Sequence, residues 1–565
     1  MRPKPFSRRA ALKLGVAASL LPPSLGEALA SPPRPGGLRA IEHVVFLMQE
    51  NRSFDHYYGS LRGVRGFGDR HALELPDGRS VFDQGVLPFA VRDAANRKDV
   101  QFIGDLDHTW EGGHKALNGG WNNGWVAAKT AATMAYYDRQ DLPFHYELAD
   151  TFTICDAYHC SVPSSTSPNR NYWVSGYTGF EANGKRAIGN AAYAEDTHPG
   201  YSWMTYPQRL EAAGHSWRVY QEWDNFQDNN LEFFVTFKEI ARRVLPSGYS
   251  SLTAFYEALA KLPEAEQDAL LARLEDGVRR LSASDRQLYT RGLQRVRPKG
   301  LAASFRADVA AGRLPRVSYL VPSSVDSEHP GASSPASSAN LTYDIIDALA
   351  SNVDVWSRTA LFITYDENDG YFDHVPPPCP PASVADEYVD GKPLGFGPRV
   401  PMTVVSPWTV GGFVCSQTFD HTAMIRFVER WLGVREPNIS AWRRRVSGDL
   451  TSAFDFSRVE RWPAVRQPGV VPPFSGRWRP VPPGVQAMPR QESGGRRARV
   501  LPYRAEVFVD GGRLVLRNRG SASVHFAVYV YSTLEVLRFD VLGEEVVSVP
   551  SGRFAVLGAG RRWDF

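Results

Sequence analysis

The chain has 565 residues, which is long enough for a large core and for more than one domain. Its formal net charge is +3 and 22% of its residues are charged, so composition gives no basic footprint and predicts no nucleic-acid partner. Aromatic residues make up 12% of the chain. Exposed aromatic side chains suit recognition of sugars, choline or an interface, although ordinary core packing accounts for most of them.

The first 30 residues are predicted to be a targeting signal rather than part of the fold. Arg8 and Arg9 precede an apolar run over residues 14–21 that is too short to cross a bilayer, and residues 28–30 read Ala-Leu-Ala, a small-residue cleavage signal. The paired arginines favour the twin-arginine export machinery, although Ala11 stands where that motif usually has Phe. We therefore expect an exported protein, periplasmic or secreted.

Two apolar runs predict buried strands that end in carboxylate and amide side chains. Residues 44–48 read VVFLM and lead to Glu50 and Asn51, while residues 360–365 read ALFITY and lead to Asp366 and Glu367. In open α/β sheets ligands lie just outside the carboxyl ends of the strands, where hard oxygen ligands suit a divalent cation. The alternative is a pair of solvated acidic turns.

A hydroxyl cluster over residues 164–167, SSTS, is followed by Pro168, Asn169 and Arg170. A hydroxyl becomes a competent nucleophile when a cation or a base lowers its pKa, and Pro168 would hold the end of this loop rigid. The alternative is a Ser/Thr-rich turn that caps a helix.

These stretches resemble the bacterial phosphoesterase family of phosphocholine-preferring phospholipases C and their acid-phosphatase relatives. The blocks that carry the resemblance run in family order over about residues 41–435: QENRSFDHYYG, SSTSPNRNYWVSG, VYQEWDNFQDN, SEHPG, TYDENDGYFDHVPPP and the segment from Arg399 to Thr422. The resemblance implies an alkaline-phosphatase-like α/β/α sandwich. It also implies a divalent metal ion, which the sequence does not identify as Mg, Ca, Mn or Zn.

The resemblance also assigns roles to individual residues. The T-x-P-N-R pattern selects Thr166 as the nucleophile, and His108, chosen over His114, and His329 are the catalytic histidines. The implied metal ligands are Glu50, Asn51, Thr166, Asp366 and Glu367. The implied reaction cleaves the glycerol-side phosphodiester of a phospholipid such as phosphatidylcholine or sphingomyelin, at a peripheral membrane surface.

An aromatic and acidic segment is the predicted headgroup site. Tyr220, Trp223, Asp224 and Phe226 lie within seven residues of one another. Ring faces beside a carboxylate suit a quaternary ammonium group. The alternative is that these residues cap the helix that follows.

The remaining sequence predicts the outline of the domains. Residues 41–458 form the catalytic domain, with an amphipathic helical insertion over 253–310 and alternating strands and helices that favour a largely parallel sheet. His421 precedes a predicted helix and is either its cap or a site residue. Residues 459–504 are rich in Pro, Gly and Arg and predict a linker, and residues 505–565 predict a small β-sandwich-like module.

Two functions besides the phospholipase remain open at this point. One is an acid phosphatase that uses the same core on phosphomonoesters, and the other is a secreted, non-catalytic protein that binds lipids or glycans. The four cysteines, Cys155, Cys160, Cys379 and Cys415, are either reduced or include one disulfide, for which Cys155 with Cys160 is a candidate.

Overall fold

The structure is a computed structural model, and it describes residue 28, residues 36–457 and residues 465–565. The predicted signal peptide therefore lies outside the described residues except for Ala28. Within the described ranges, no helix combines the length and the apolar character needed to cross a membrane.

A seven-stranded sheet forms the centre of the catalytic domain. Its strands, numbered along the chain, are β1 His43–Gln49, β2 Thr153–Cys155, β3 Trp217–Gln221, β4 Val317–Val321, β5 Thr359–Tyr365, β6 Met402–Val405 and β7 Val414–Cys415. Their order across the sheet is β7-β2-β6-β5-β1-β4-β3. The two strands predicted from apolar runs are thus central neighbours, and every residue of β5 is buried, as expected for a strand covered on both faces.

Helices cover the sheet and fill the insertion. They are α1 Phe54–Tyr58, α2 Trp110–Leu117, α3 Trp125–Lys129, α4 Pro143–Thr151, α5 Thr166–Ser175, α6 Tyr206–Ala212, α7 Val235–Val244, α8 Leu252–Leu259, α9 Glu264–Arg279, α10 Ala283–Gly292, α11 Leu301–Ala310, α12 Pro335–Ala350, α13 Val353–Trp356, α14 Thr422–Leu432 and α15 Ala441–Val446. The predicted α/β class is confirmed, and α8 to α11 are the predicted helical insertion.

One central strand runs against its neighbours. Strands β1, β4, β5 and β3 pair in parallel, as do β2 and β7, but β6 is antiparallel to both β5 and β2. The chain between β5 and β6 contains a single 3-10 turn, Ala385–Glu387, and two two-residue strands rather than a crossover helix. Because a parallel connection needs such a crossover, the chain re-enters the sheet from the edge at which β5 left it.

The C-terminal residues form the predicted small all-β module. Its strands are β8 Ala505–Asp510, β9 Arg513–Asn518, β10 Val524–Val530, β11 Glu535–Val541, β12 Gly543–Ser548, β13 Phe554–Gly558 and β14 Arg561–Asp564. They make two antiparallel sheets, β8-β9-β12 and β11-β10-β13-β14, around a core that includes Leu514, Phe526 and Val556. The module contacts the catalytic domain, where the Trp442 indole donates to Asp540.

The described part of the Pro-rich segment, residues 465–504, lies along the catalytic domain. It contributes the buried Trp478 and an ion pair from Arg496 to Asp150. All four cysteines carry free thiols in the structure, and the register partner of Cys155 is Cys415 of the neighbouring strand rather than Cys160.

Candidate active site

The carboxyl ends of β1 and β5 bring the first acidic residues together. Gln49 and Tyr365 are register partners at the ends of these parallel strands, so Glu50 and Asp366, one residue further on, leave the sheet side by side. Both side chains are almost fully buried, as are Asn51 and Glu367. The predicted acidic and amide residues therefore lie at one edge of the sheet, where α/β proteins hold their ligands.

Asn51 links the two strand ends through its backbone and its side chain. Its N–H donates to Asp366 Oδ1 at 3.1 Å, and its Nδ2 donates to Asp369 Oδ1 at 2.9 Å. Its φ of 62° lies in the left-handed region, which asparagine tolerates better than most residues. The Asn51 Oδ1 atom remains buried without a hydrogen-bond partner.

Thr166 is the first residue of α5 and is buried against Glu50. Its hydroxyl lies 3.4 Å from Glu50 Oε2. The N-terminus of a helix of this length favours negative charge, because its first N–H groups point outward without intrahelical partners. The position suits a hydroxyl that takes up negative charge during a reaction.

The two residues after Pro168 fix the surroundings of Thr166. Asn169 accepts hydrogen bonds from Ser161 N and Val162 N and donates to the carbonyl oxygens of Val162, Ser164 and Ser165. It therefore holds the whole loop that leads into α5.

Arg170 is fully buried and lies among three carboxylates. It pairs with Glu50, with Asp366 Oδ2 at 3.3 Å and with Asp228 Oδ2 at 3.2 Å. A buried carboxylate is costly unless it is paired, so Arg170 offsets part of the charge collected at this edge.

The site still holds more acid than its cations neutralise. Burial, together with the charges of Asp228 and Asp366, raises the pKa of Glu50 well above its ordinary value. Burial also raises the pKa of Glu367 well above its ordinary value, and the neighbouring Asp366 and Asp369 add to the shift.

Two buried oxygens, Asn51 Oδ1 and Glu367 Oε1, have no hydrogen-bond partner. Buried oxygens without donors, in a site with raised carboxyl pKa values, are what a divalent cation would satisfy. The residues present therefore fit a metal ion.

The two predicted catalytic histidines lie near each other at the rim of this site. The ring centroids of His108 and His329 are 6.1 Å apart, and one ligand atom from each lies within 4.8 Å of a carboxylate oxygen of Asp369. Burial alone would lower the pKa of His108, but the charges of Glu367 and Asp369 outweigh it and raise the pKa to about 10. His329 is the opposite case, because burial lowers its pKa and its Nδ1 accepts a hydrogen bond from Gly331 N.

A second acidic group of metal-ligand type already has cationic partners. Asp55, Asp373 and His374 lie together, but Arg399 donates to Asp55 at 2.9 Å and to Asp373 at 2.8 Å. The guanidinium neutralises these carboxylates, which favours a structural role. His421 precedes α14 without a side-chain capping hydrogen bond, and its Nε2 lies 2.7 Å from the backbone oxygen of Asp366, so it contacts the site through the main chain.

The structure does not bring the four predicted headgroup residues together. The Tyr220 hydroxyl bonds to Asp308 away from the acidic site, and Trp223 is buried against Tyr256. Asp224 is exposed and accepts a hydrogen bond from Ser324 N at 3.1 Å.

Phe226 does reach the site. Its ring meets that of His329 edge-on, with 5.2 Å between the centroids. The four residues separate because Tyr220 belongs to β3 and faces the helices, whereas Phe226 follows in the loop beyond the strand.

Three further residues at the site have no assigned role in the sequence analysis. Lys129 is buried, with Nζ 3.2 Å from Asp107 Oδ1, and it lines a small cavity together with His108. Asp228 faces Arg170, and burial raises its pKa to about 7. Burial also raises the pKa of Tyr193 well above its ordinary value, with the charges of Asp228 and Glu50 adding to the shift. Asp228 stands in a block of the resemblance, whereas Lys129 is the last residue of the short helix α3 and lies in no motif.

Comparison with known proteins gives consistent matches across the chain. The sequence profile described as "Phosphoesterase family" matches residues 41–435. A curated protein of Burkholderia pseudomallei, "Non-hemolytic phospholipase C", is 44% identical over 574 residues, which cover 94% of this chain and 77% of that protein. The protein with the same name from Pseudomonas aeruginosa is 41% identical over 568 residues, covering 93% and 75%. A solved structure from Vibrio parahaemolyticus, titled as a protein in the alkaline phosphatase superfamily, aligns with a TM-score of 0.31 at 11% identity, covering 95% of this chain and 92% of that one.

Proposed function

Because the chain belongs to the phosphoesterase family, we propose that it is a secreted phospholipase C that cleaves the glycerol-side phosphodiester of phosphatidylcholine-like lipids. The profile match and the two similar phospholipases C confirm two predictions: that the chain belongs to this family and that it is a phosphoric diester hydrolase. The lipid substrate, the nucleophile and the metal ion are part of the proposal.

The observation that carries the proposal is the contact between Thr166 and Glu50. The hydroxyl lies at a helix N-terminus, 3.4 Å from a buried carboxylate whose pKa is raised well above its ordinary value. Glu50 Oε2 accepts a hydrogen bond from this hydroxyl, so it is placed to take the hydroxyl proton. A hydroxyl so placed can attack phosphorus.

The proposed reaction has two steps. In the first, the Thr166 oxygen forms a bond to phosphorus, and the bond from phosphorus to the glycerol oxygen breaks. His108, whose pKa of about 10 keeps it protonated at neutral pH, donates a proton to the departing diacylglycerol oxygen. In the second step a water oxygen bonds to phosphorus and gives its proton to His108, the bond from phosphorus to the Thr166 oxygen breaks, and that oxygen regains the proton held by Glu50 as phosphocholine leaves.

Glu50, Asn51, Thr166, Asp366 and Glu367 would hold the metal ion. When bound, a divalent cation supplies positive charge that lowers the pKa of a nearby hydroxyl and stabilises charge on the phosphoryl group. Arg170 keeps Glu50 and Asp366 in place from the opposite side, and Lys129 adds a second fixed cation near His108.

The proposal extends to headgroup, membrane and location. Phe226, beside His329, is the residue among the four predicted ones whose ring can face a choline group at the site. The lipid substrate would be met at a peripheral membrane surface, after export through the twin-arginine machinery.

One assay separates the proposal from its alternatives. We expect hydrolysis of a chromogenic phosphocholine diester, with a higher kcat/KM than for the corresponding phosphomonoester. The reverse preference would make the protein an acid phosphatase. Absence of both activities in the folded, metal-loaded protein would favour a non-catalytic binding protein.

A further inference from the structure

The Pro-rich segment beside the active site exposes large apolar side chains. Val470 is 95% exposed and Phe474 is 66% exposed. Both belong to residues 465–478, a segment anchored at its two ends by the buried Val465 and Trp478, so these side chains face solvent from a fixed stretch of chain. Apolar side chains of this size, presented on a fixed segment, mark a contact surface.

The segment is bonded to the loop that carries His108. Trp478 accepts a hydrogen bond from Gly104 N at 2.7 Å and donates through its indole to Asp99 O at 2.7 Å. Arg479 donates to the backbone oxygen of Asp105 at 3.1 Å. These bonds end three residues before His108.

The same segment is bonded to the loop that carries His329. Arg477 donates to Ser333 O at 2.6 Å, and Ser333 N in turn donates to His329 O at 2.8 Å. On this loop Val325 is 56% exposed, which adds a third large apolar side chain. The exposed residues therefore lie beside the two loops that form the rim of the candidate site.

An apolar groove continues from this surface. A groove of about 490 Å³ has one wall formed by Phe144, Pro335, Ala339, Pro468, Val470 and Pro472, and polar side chains that include Asp141 and Glu147 line the rest. Two arginines lie here: Arg466 lines the groove and pairs with Glu147, and Arg477 lies against the rings of Phe102 and Phe474, which also contact each other. Apolar side chains that can enter the acyl region, next to arginines that can meet phosphate groups, match the two layers of a phospholipid surface.

We propose that Val325, Val470 and Phe474 form the surface on which this protein docks onto a phospholipid bilayer. The inference rests on the proposed function, because a lipid that enters the site must leave its bilayer at the rim formed by the His108 and His329 loops. Docking through the segment bonded to both loops sets the lipid phosphate close to the candidate catalytic residues.

The test compares the same valine substitution at two places, one beside the candidate site and one near the opposite ends of the strands. Val470→Ser, alone and combined with Phe474→Ser, removes apolar surface at the rim. Val500→Ser is the control, since Val500 is 90% exposed and its neighbour Arg499 contacts Thr153, at the start of β2 on the far edge. Binding is measured by sedimentation with phosphatidylcholine vesicles in the Thr166→Ala background, so that no lipid is consumed.

We expect the double variant to bind vesicles at least about tenfold more weakly, since burial of one valine or phenylalanine side chain is worth more than a tenfold step. Hydrolysis of vesicle lipid, measured with Thr166 present, should fall in parallel, while kcat/KM on a soluble phosphocholine diester should stay within about twofold. Val500→Ser should match the unmodified protein in each measurement.

Three results would overturn the proposal. The first is unchanged vesicle binding in the double variant, and the second is an equal loss of vesicle binding in Val500→Ser. The third is an equal fall of kcat/KM on the soluble diester in the double variant, which would mean that the segment acts by shaping the loops of His108 and His329. Failure of the proposed function would look different, because the soluble diester would then resist hydrolysis by the unmodified protein while the binding comparison could still succeed.

Discussion

Replacement of Asn169 by alanine should both destabilise the protein and impair catalysis. The side chain is fully buried and makes five hydrogen-bond contacts, all to the backbone of residues 161–165. Because the amide has two N–H groups, three of these contacts share two donors and at most four full bonds form; at a net contribution of about 0.5–1.5 kcal/mol each, their loss should lower the free energy of unfolding by roughly 2–6 kcal/mol. The loop that leads to Thr166 would also lose its fixed position, so kcat should fall.

Asn171→Ala is the matched control for this prediction. Asn171 has the same side chain, is also fully buried and lies on the same helix, but its side chain makes two hydrogen bonds, with Thr178 and Asn230. The same reasoning gives a loss of roughly 1–3 kcal/mol. Asn169→Asp should not rescue the loop, because it keeps the acceptor oxygen but places a second oxygen against three carbonyl groups.

The measurements are thermal melting and steady-state kinetics on the soluble phosphocholine diester. We expect Asn169→Ala to melt at a lower temperature than Asn171→Ala and to lose more kcat. If the two alanine variants melt alike, or if Asn169→Ala keeps full kcat, the loop does not depend on these bonds and the reasoning is refuted.

Four further predictions address the site and its surroundings. Thr166→Ala should remove activity without lowering the melting temperature, Thr166→Ser should retain part of it, and full activity in the alanine variant would exclude Thr166 as the nucleophile. Chelation of divalent cations should lower both the hydrolysis rate and the melting temperature, because a ligand at a hundred times its Kd stabilises the fold by about 2.7 kcal/mol. An unchanged rate and melting temperature, with metal analysis showing no bound ion, would contradict a metal site. Phe226→Ala should reduce the ratio of kcat/KM for choline headgroups to kcat/KM for serine headgroups several-fold, and an unchanged ratio would place headgroup recognition elsewhere. Trp223→Ala should instead destabilise the core by about 3–5 kcal/mol. Burial alone would raise the pKa of Asp69, but its hydrogen bond with His374 and nearby positive charge hold the pKa well below 3.8. The ionised Asp69 therefore stabilises the fold above about pH 4, and this stabilisation is lost as the pH falls. Below about pH 4 the melting temperature of Asp69→Asn should decline less than that of the unmodified protein, and an equal decline would refute this.

The local elements and the residues that follow them are predictable from sequence patterns. Short apolar runs rich in β-branched and aromatic residues, with no polar face, favour strands covered on both sides, so β1 and β5 and the acidic residues after them are predictable. The family blocks carry the candidate nucleophile Thr166 and His329, whereas His108 lies outside the quoted blocks and is chosen over His114 from the resemblance. The helical insertion and the β module followed from their periodicity.

Which of these residues meet depends on how the elements pack in the folded chain. Four aromatic and acidic residues close in sequence were expected to form one headgroup site, but Tyr220 belongs to a strand and faces the core, whereas Phe226 lies in the loop beyond it and reaches His329. Lys129 and Asp228 arrive at the site from distant parts of the chain. Sequence patterns report the period and burial of one element, whereas a site depends on how separate elements pack, and that packing is fixed by long-range contacts that no local pattern contains.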